Sequence, residues 1–255
     1  MIHFVGAGPG AVDLITVRGM ELIKEADVII YAGSLVNPGL LEYARKDAEV
    51  YNSAYMTLEE ICEVMRCADA KGRQIVRLHT GDASIYGAVR EQMDFLDSLH
   101  IPYDSCPGVS ACFGAAAGLN LEYTLPEVTQ TLIITRLEGR TPVPEAEKLE
   151  LLASHGASMA IYLSTGMLAE LSAQLIRGGY SPDTPAALIY KATWPEEKQL
   201  CCTVGTLPET GEKNGITKTA VVLVGDALAH ADYGRSRLYD PTFSTGFRTA
   251  GRDPQ

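Results

Sequence analysis

The chain has 255 residues, 46% apolar and 21% charged, with a formal charge of −11. That length holds one large or two modest domains with proper cores, in the composition range of a soluble globular enzyme. No apolar stretch approaches the ~18 residues that span a bilayer, and the acidic balance disfavours broad nucleic-acid binding, which relies on Lys and Arg neutralising phosphates.

In chain order, residues 2–5 predict a strand that stops in Gly6-Ala7-Gly8-Pro9-Gly10. A strand beginning within two residues leaves no room for a signal peptide, so the chain is expected to be cytoplasmic. A helix is predicted over 15–26, then a strand at Val28–Tyr31. Thr57-Leu58-Glu59-Glu60 reads as a capping box, with Thr57 as N-cap and Glu60 three residues on. Leu58, Ile61, Cys62 and Met65 then follow helical spacing, predicting a helix to about Ala70. Ile75–His79 is the next strand. Ile85, Val89, Leu96 and Leu99, with Met93, give one apolar helical face. Tyr103–Cys106 predicts a short strand closed by Pro107-Gly108, and the small residues 110–119 a tightly packed helix. This alternation predicts a mainly parallel sheet.

Residues 120–128 lose periodicity and read as a linker. Beyond it, strands are predicted at 131–135, 159–164, 186–190, 200–204 and 220–225. Helices are predicted at 144–154 and 167–177, the second with Leu168, Leu171 and Leu175 on one face. The expected architecture is α/β, with an N-terminal domain at 1–120, a C-terminal domain at 121–235 and an irregular tail at 236–255. Two such domains imply an interdomain cleft, the usual place for a sizeable ligand.

Chemistry concentrates at two glycine loops that follow strands. The first is Gly6–Gly10; the second is Thr80-Gly81-Asp82-Ala83-Ser84-Ile85-Tyr86-Gly87. Without β-carbons, such loops let a ligand approach the main chain closely, and in open parallel sheets ligands lie at these strand ends. A plain strand-to-helix turn is the structural alternative. Gly6-Ala7-Gly8-Pro9-Gly10-Ala11 also satisfies the dinucleotide fingerprint, but the second strand ends without the carboxylate that holds a ribose, and Pro9 removes an N–H that a phosphate needs. No P-loop and no nucleophile elbow is present.

Cys62, Cys67, Cys106, Cys112, Cys201 and Cys202 form no C-x-x-C pair and no zinc spacing, so no metal is expected and they read as small buried hydrophobes. His3, His79, His100, His155 and His230 stand singly. His79 ends a strand beside Asp82, and a structural role suits it better than ligand binding. With no evident nucleophile or acid–base pair, the chain points to a reaction run by positioning two partners.

Together these residues resemble the tetrapyrrole methylase family, S-adenosylmethionine-dependent methyltransferases built from two α/β domains. Val5-Gly6-Ala7-Gly8-Pro9-Gly10 with Asp13-Leu14-Ile15-Thr16-Val17-Arg18-Gly19 is similar to the family's first signature. Thr80–Gly87 resembles its G-D-P-x-x-Y-G loop, and Pro107-Gly108-Val109-Ser110 its third signature. The likeness covers nearly the whole chain and keeps the order of the motifs. Ala83 stands where the loop usually has proline, Ala11-Val12 where many members have Asp-Pro, and Thr245 where a histidine is expected.

Narrower likeness, to members that methylate ring carbon C11 of a cobalamin precursor, rests on three segments. They are Tyr31-Ala32-Gly33-Ser34-Leu35-Val36-Asn37-Pro38; Thr124–Thr131 with Thr135-Arg136 and Gly139–Pro144; and Ser236–Phe243. The resemblance implies cofactor contacts at Pro9, Thr80, Gly81, Asp82, Ser110, Ala111, Leu163, Ala192 and Thr193. It implies a tetrapyrrole partner rather than nucleic acid or membrane, and a homodimer. The macrocycle's carboxylates need cations, for which Arg18, Arg136, Arg140 and Lys191 are the candidates. A solvated surface charge is the alternative for each. The same scaffold resembles methyltransferases for other ring positions, diphthine synthase and a ribosomal RNA ribose methyltransferase. The acidic charge and the three narrow segments disfavour the two that act on macromolecules. A non-catalytic binding module is a further reading, which the intact loops do not favour.

Overall fold

Three apolar runs in the first half, residues 2–5, 28–31 and 75–79, become the strands their patterning predicts, because a parallel strand covered on both faces buries nearly all its side chains. The computed structural model describes residues 1–229 and 233–251. Its first unit comprises 1–118 together with Tyr190–Lys198, and its second the remainder.

In the first unit the chain runs β1 (Ile2–Gly6), α1 (Val17–Glu25), β2 (Val28–Tyr31), β3 (Glu49–Asn52), α2 (Leu58–Asp69), β4 (Ile75–His79), α3 (Arg90–Ser98), β5 (Tyr103–Cys106) and α4 (Ala111–Leu119). The sheet order is β3-β2-β4-β1-β5, with every neighbour pair parallel. Alternation along the strands divides the core. Ile2, Phe4, Val28, Ile30 and Ile75 pack with Ile61 and Met65 of α2 and Leu96 of α3. Val5, Ile29, Val76 and Leu78 pack on the other side with Ile23 of α1 and Leu40. The Thr57 hydroxyl accepts the Glu60 N–H at 3.3 Å and the Glu60 carboxylate accepts the Thr57 N–H at 2.7 Å, closing the predicted capping box.

The second unit holds β6 (Leu132–Arg136), α5 (Leu149–Ala153), β7 (Ser158–Tyr162), α6 (Leu168–Arg177), β8 (Pro185–Tyr190), β9 (Lys198–Thr203), α7 (Leu207–Lys213) and β10 (Ala220–Val224). Its sheet order is β6-β7-β10-β8-β9. The β6–β7 pair is parallel and β7–β10 antiparallel. On α6, the buried residues include Leu168, Leu171 and Leu175, the predicted stripe.

Several expectations are corrected. The helix expected from residue 15 starts at Val17, because Thr16 is its N-cap and accepts the Gly19 N–H. The apolar face drawn from Ile85 to Leu99 is helical only over Arg90–Ser98; Tyr86 and Ala88 hold left-handed φ of 54° and 49°. The helix over 144–154 is broken at Lys148, whose extended ψ of 137° separates a short 3₁₀ turn from α5. Strand β3 and helix α7 were not predicted. Cys62, Cys106 and Cys112 are buried, whereas Cys201 is exposed on β9 and Cys67 and Cys202 are half-buried. Tyr190–Lys198, expected with the second domain, belongs to the first unit. His230 lies outside the described residues.

Candidate functional site

Strands β1 and β4 are neighbours, yet the chain leaves them in opposite directions: from β1 across β4 to β2, and from β4 across β1 to β5. With right-handed crossovers this puts α1 and α3 on opposite faces, as the two core clusters record. Beyond the carboxyl ends of such a pair lies the crevice where open α/β sheets bind ligands. The two glycine loops lie there.

The loops are laced by backbone. Ala7 N–H donates to the His79 carbonyl at 2.6 Å, and Gly8 and Gly81 exchange N–H···O bonds of 3.2 and 2.8 Å. A β-carbon on Gly6 would lie 2.6 Å from the Gly108 Cα and 2.7 Å from the Gly81 carbonyl oxygen. Glycine is needed at this junction because three main chains touch. Gly114 of α4 is similarly closed by Pro9, whose Cβ would stand 2.8 Å from an added β-carbon.

Asp82 holds the junction together. Its Oδ1 accepts the Ser84 N–H at 2.9 Å, and its Oδ2 accepts the Gly108 N–H at 2.8 Å. Partial burial pushes its carboxyl upward, but the bonds from Ser84 and Gly108 outweigh this and hold it below the usual carboxylate range. Asp82 thus fixes the second loop against the third signature. Thr80, half-buried, and buried Gly81 precede it, while buried Ser110 and half-buried Ala111 open α4.

The Tyr190–Lys198 segment completes the set. Thr193 Oγ1 accepts the Ala11 N–H at 2.9 Å, and Asn37 Nδ2 donates to the Gly10 carbonyl at 2.8 Å. Any side chain on Gly10 would collide with the Trp194 ring. Ala192 is buried beside them. Lys191 and Thr193 have φ of 48° and 67°, a conformation unfavourable for residues with a β-carbon and held only where surroundings impose it. The Lys191 ammonium lies 5.2 Å from the Trp194 ring centre and 5.8 Å from that of Tyr190, with Glu196 at 3.4 Å. It is a partly neutralised cation on an aromatic shelf.

This arrangement decides between ligand classes. A pyrophosphate needs a nest of free amides. Here Ala7, Gly8 and Ala11 already donate within the protein, and Pro9 has no N–H. Around the loops lie instead the apolar residues Pro9 and Ala192, both buried, half-buried Ala111, and the hydroxyl-bearing Thr80, Ser110 and Thr193. That set fits a ligand without phosphates, as S-adenosylmethionine is.

In the second unit, Leu163 follows β7 at φ 55° and is 65% exposed. Ser164 beside it accepts the Leu137 N–H and donates to the Tyr162 carbonyl, so the turn that throws Leu163 outward is tied to both β6 and β7. Arg136 donates to the carbonyls of Leu137, Thr141 and Pro142 at 3.3, 3.2 and 2.6 Å. Its guanidinium curls the 137–142 segment, on which Arg140 is exposed. Arg18 is exposed on the first turn of α1.

Four supporting residues escaped sequence reasoning: Asn37, Trp194, Arg77 and Gln92. Arg77 carried the clearest signal, a charge in the middle of an apolar run on a central parallel strand. The residue is 4% exposed, and burial lowers its pKa to about 10.

Several known proteins are similar to this chain over most of its length. The family model described as Tetrapyrrole (Corrin/Porphyrin) Methylases matches residues 1–208. The cobalt-precorrin-4 C(11)-methyltransferase of Methanocaldococcus jannaschii is 53% identical, over 97% of this chain and 95% of that one. The precorrin-4 C(11)-methyltransferase of Pseudomonas aeruginosa is 45% identical over 93% and 94%. The solved structure of a cobalamin biosynthetic enzyme, cobalt precorrin-4 methyltransferase, superimposes with a TM-score of 0.87 at 45% identity, over 89% of this chain and 95% of that one.

Proposed function

Since this chain belongs to the tetrapyrrole methylase family, we propose that it transfers a methyl group from S-adenosylmethionine to ring carbon C11 of precorrin-4 or its cobalt form, in cobalamin synthesis. The observation that carries this is near-full-length identity, 53% and 45%, to two relatives named for that reaction. When bound, S-adenosylmethionine supplies an electrophilic methyl carbon on a sulfonium. The protein's part is orientation. Well-oriented partners reach effective molarities of ~10⁵ M or more, and no side chain here has to become a nucleophile.

On this reading Pro9, Thr80, Gly81, Asp82, Ser110, Ala111, Ala192 and Thr193 hold the donor. Asp82 acts through the loops it ties rather than as a free charge. Arg18, Arg140 and Lys191 anchor macrocycle carboxylates, and Arg136 shapes the segment that displays Arg140. The family resemblance also supports a homodimer working in the cytoplasm. No described helix is long and apolar enough to cross a membrane.

The test is a mass-resolved assay with labelled S-adenosylmethionine and precorrin-4, with and without cobalt. One labelled methyl at C11 is expected; no transfer to either form, or label on RNA, overturns the reading. Arg136→Ala is expected to raise the KM for the tetrapyrrole severalfold while calorimetry gives unchanged S-adenosylhomocysteine binding. Equal loss of both would remove Arg136 from the acceptor side.

A further inference from the structure

Beneath the second glycine loop runs a buried polar chain that the donor contacts above do not use. Arg77 lies on β4, and its Nε donates to Gln92 Oε1 at 3.0 Å while its Nη1 donates to the Ile30 carbonyl at 3.2 Å. Gln92, 3% exposed on α3, donates through Nε2 to the Ala88 carbonyl at 3.0 Å. No carboxylate ion-pairs with Arg77 among the described residues. A buried guanidinium held only by neutral acceptors is costly, since nothing offsets its lost hydration as an opposite charge does. An apolar residue would serve the core better, so its retention calls for a specific role.

The geometry supplies one. A glutamine amide alone can flip, its oxygen and nitrogen being nearly equal in size. Arg77 offers only donors, so it keeps Oε1 toward itself and Nε2 toward Ala88. Ala88, at φ 49°, is an alanine in the left-handed region, and Tyr86 at 54° is another strained residue of the same loop. Such conformations persist only where surroundings impose them. The loop from Thr80 to Val89 is therefore clamped twice. Asp82 ties its start to Gly108, and Gln92 ties its end to the sheet through Arg77.

We propose that Gln92, oriented by buried Arg77, is a positioning residue for the methyl-donor loop: by holding the strained Ala88 carbonyl it fixes Thr80, Gly81 and Asp82 for donor binding. This rests on the donor assignment above and concerns only how the loop is held.

Gln92→Glu separates positioning from plain stability. The carboxylate keeps an acceptor for Arg77 and adds an ion pair, but it sets an acceptor against the Ala88 carbonyl. Melting should stay at or above the parent temperature. The Kd for S-adenosylhomocysteine and the KM for S-adenosylmethionine should rise about tenfold, the effect of one buried hydrogen bond. The tetrapyrrole KM and kcat at saturating donor should stay within about twofold. Gln92→Met, which removes both bonds without adding charge, should lose donor affinity as well as stability, and it decides the matter if Gln92→Glu does not fold. Parent protein that fails to bind S-adenosylhomocysteine defeats the donor assignment. Parent that binds, beside a folded variant that binds within twofold of it, defeats the positioning role.

Discussion

Gly108→Ala should lower the melting temperature by about 6–12 °C and weaken S-adenosylhomocysteine binding at least tenfold. An added β-carbon would stand 2.7 Å from the Gly6 Cα and closer still to the Gly81 carbonyl oxygen. Both obstacles are main chain, so no rotamer change relieves them. Overpacking of this kind costs ~1–3 kcal/mol, and the upper end is expected where three backbones converge. In a chain this long each kcal/mol moves Tm by roughly 2–4 °C. Binding falls too, because the Gly108 N–H that Asp82 accepts lies at the same junction. Gly246→Ala is the control: a β-carbon there meets nothing within 4 Å. Equal melting curves and equal calorimetric affinity for Gly108→Ala and parent would show that the junction yields.

Acid should destabilise the protein well above the range in which carboxylates titrate, and His79 is the expected cause. It is 5% exposed, and its Nε2 is buried with no hydrogen-bond partner. Desolvation, aided by the Arg77 charge two residues away on the same strand face, depresses its pKa to about 3. Above pH ~6.5 the imidazole is neutral in both the folded and the unfolded chain, and it adds no pH dependence. Below that value the unfolded chain takes up a proton that the folded chain refuses, so stability declines as pH falls from about 6.5 toward 3. By pH 4 the loss amounts to about 3 kcal/mol. Urea melts between pH 7.5 and 4 should show that decline in the parent and a flatter profile in His79→Gln. Parallel profiles would assign the acid sensitivity elsewhere.

Much of the first unit was legible because its signals are local or periodic. Val28–Tyr31, Ile75–His79 and Tyr103–Cys106 coincide with their predicted bounds; the first two are apolar runs buried in the sheet, and the third is an edge strand stopped by Pro107-Gly108. The capping box at Thr57 was equally readable, since both of its bonds lie within four residues. Strand β3 was not. Glu49-Val50-Tyr51-Asn52 carries no apolar run, its residues are exposed or half-buried, and it is a strand only by pairing with β2 at the sheet edge. The helix drawn from Ile85 failed for a related reason. Apolar spacing continues through 85–89, but the Gln92 bond to the Ala88 carbonyl and the left-handed residues override it.

The candidate site divides in the same way. Glycine loops, Asp82 and the third signature were visible because close main-chain approach demands residues without β-carbons and leaves that demand in the letters. The roles of Asp82 and Arg136 were not visible. Both side chains, taken from the sequence as ligand contacts, bond to main chain, Asp82 to the Ser84 and Gly108 N–H groups and Arg136 to carbonyls of the 137–142 segment.

By itself, then, the sequence settled most of the elements of the first half of the chain and marked the glycine loops proposed to meet the ligand, because hydrogen bonding, burial period and steric freedom act over a few residues. Only the tertiary structure decided that Tyr190–Lys198 belongs with the first glycine loop. The Ala11 N–H and the Thr193 hydroxyl that accepts it are 182 residues apart, and no local pattern can specify a bond whose partners meet only after the chain has folded.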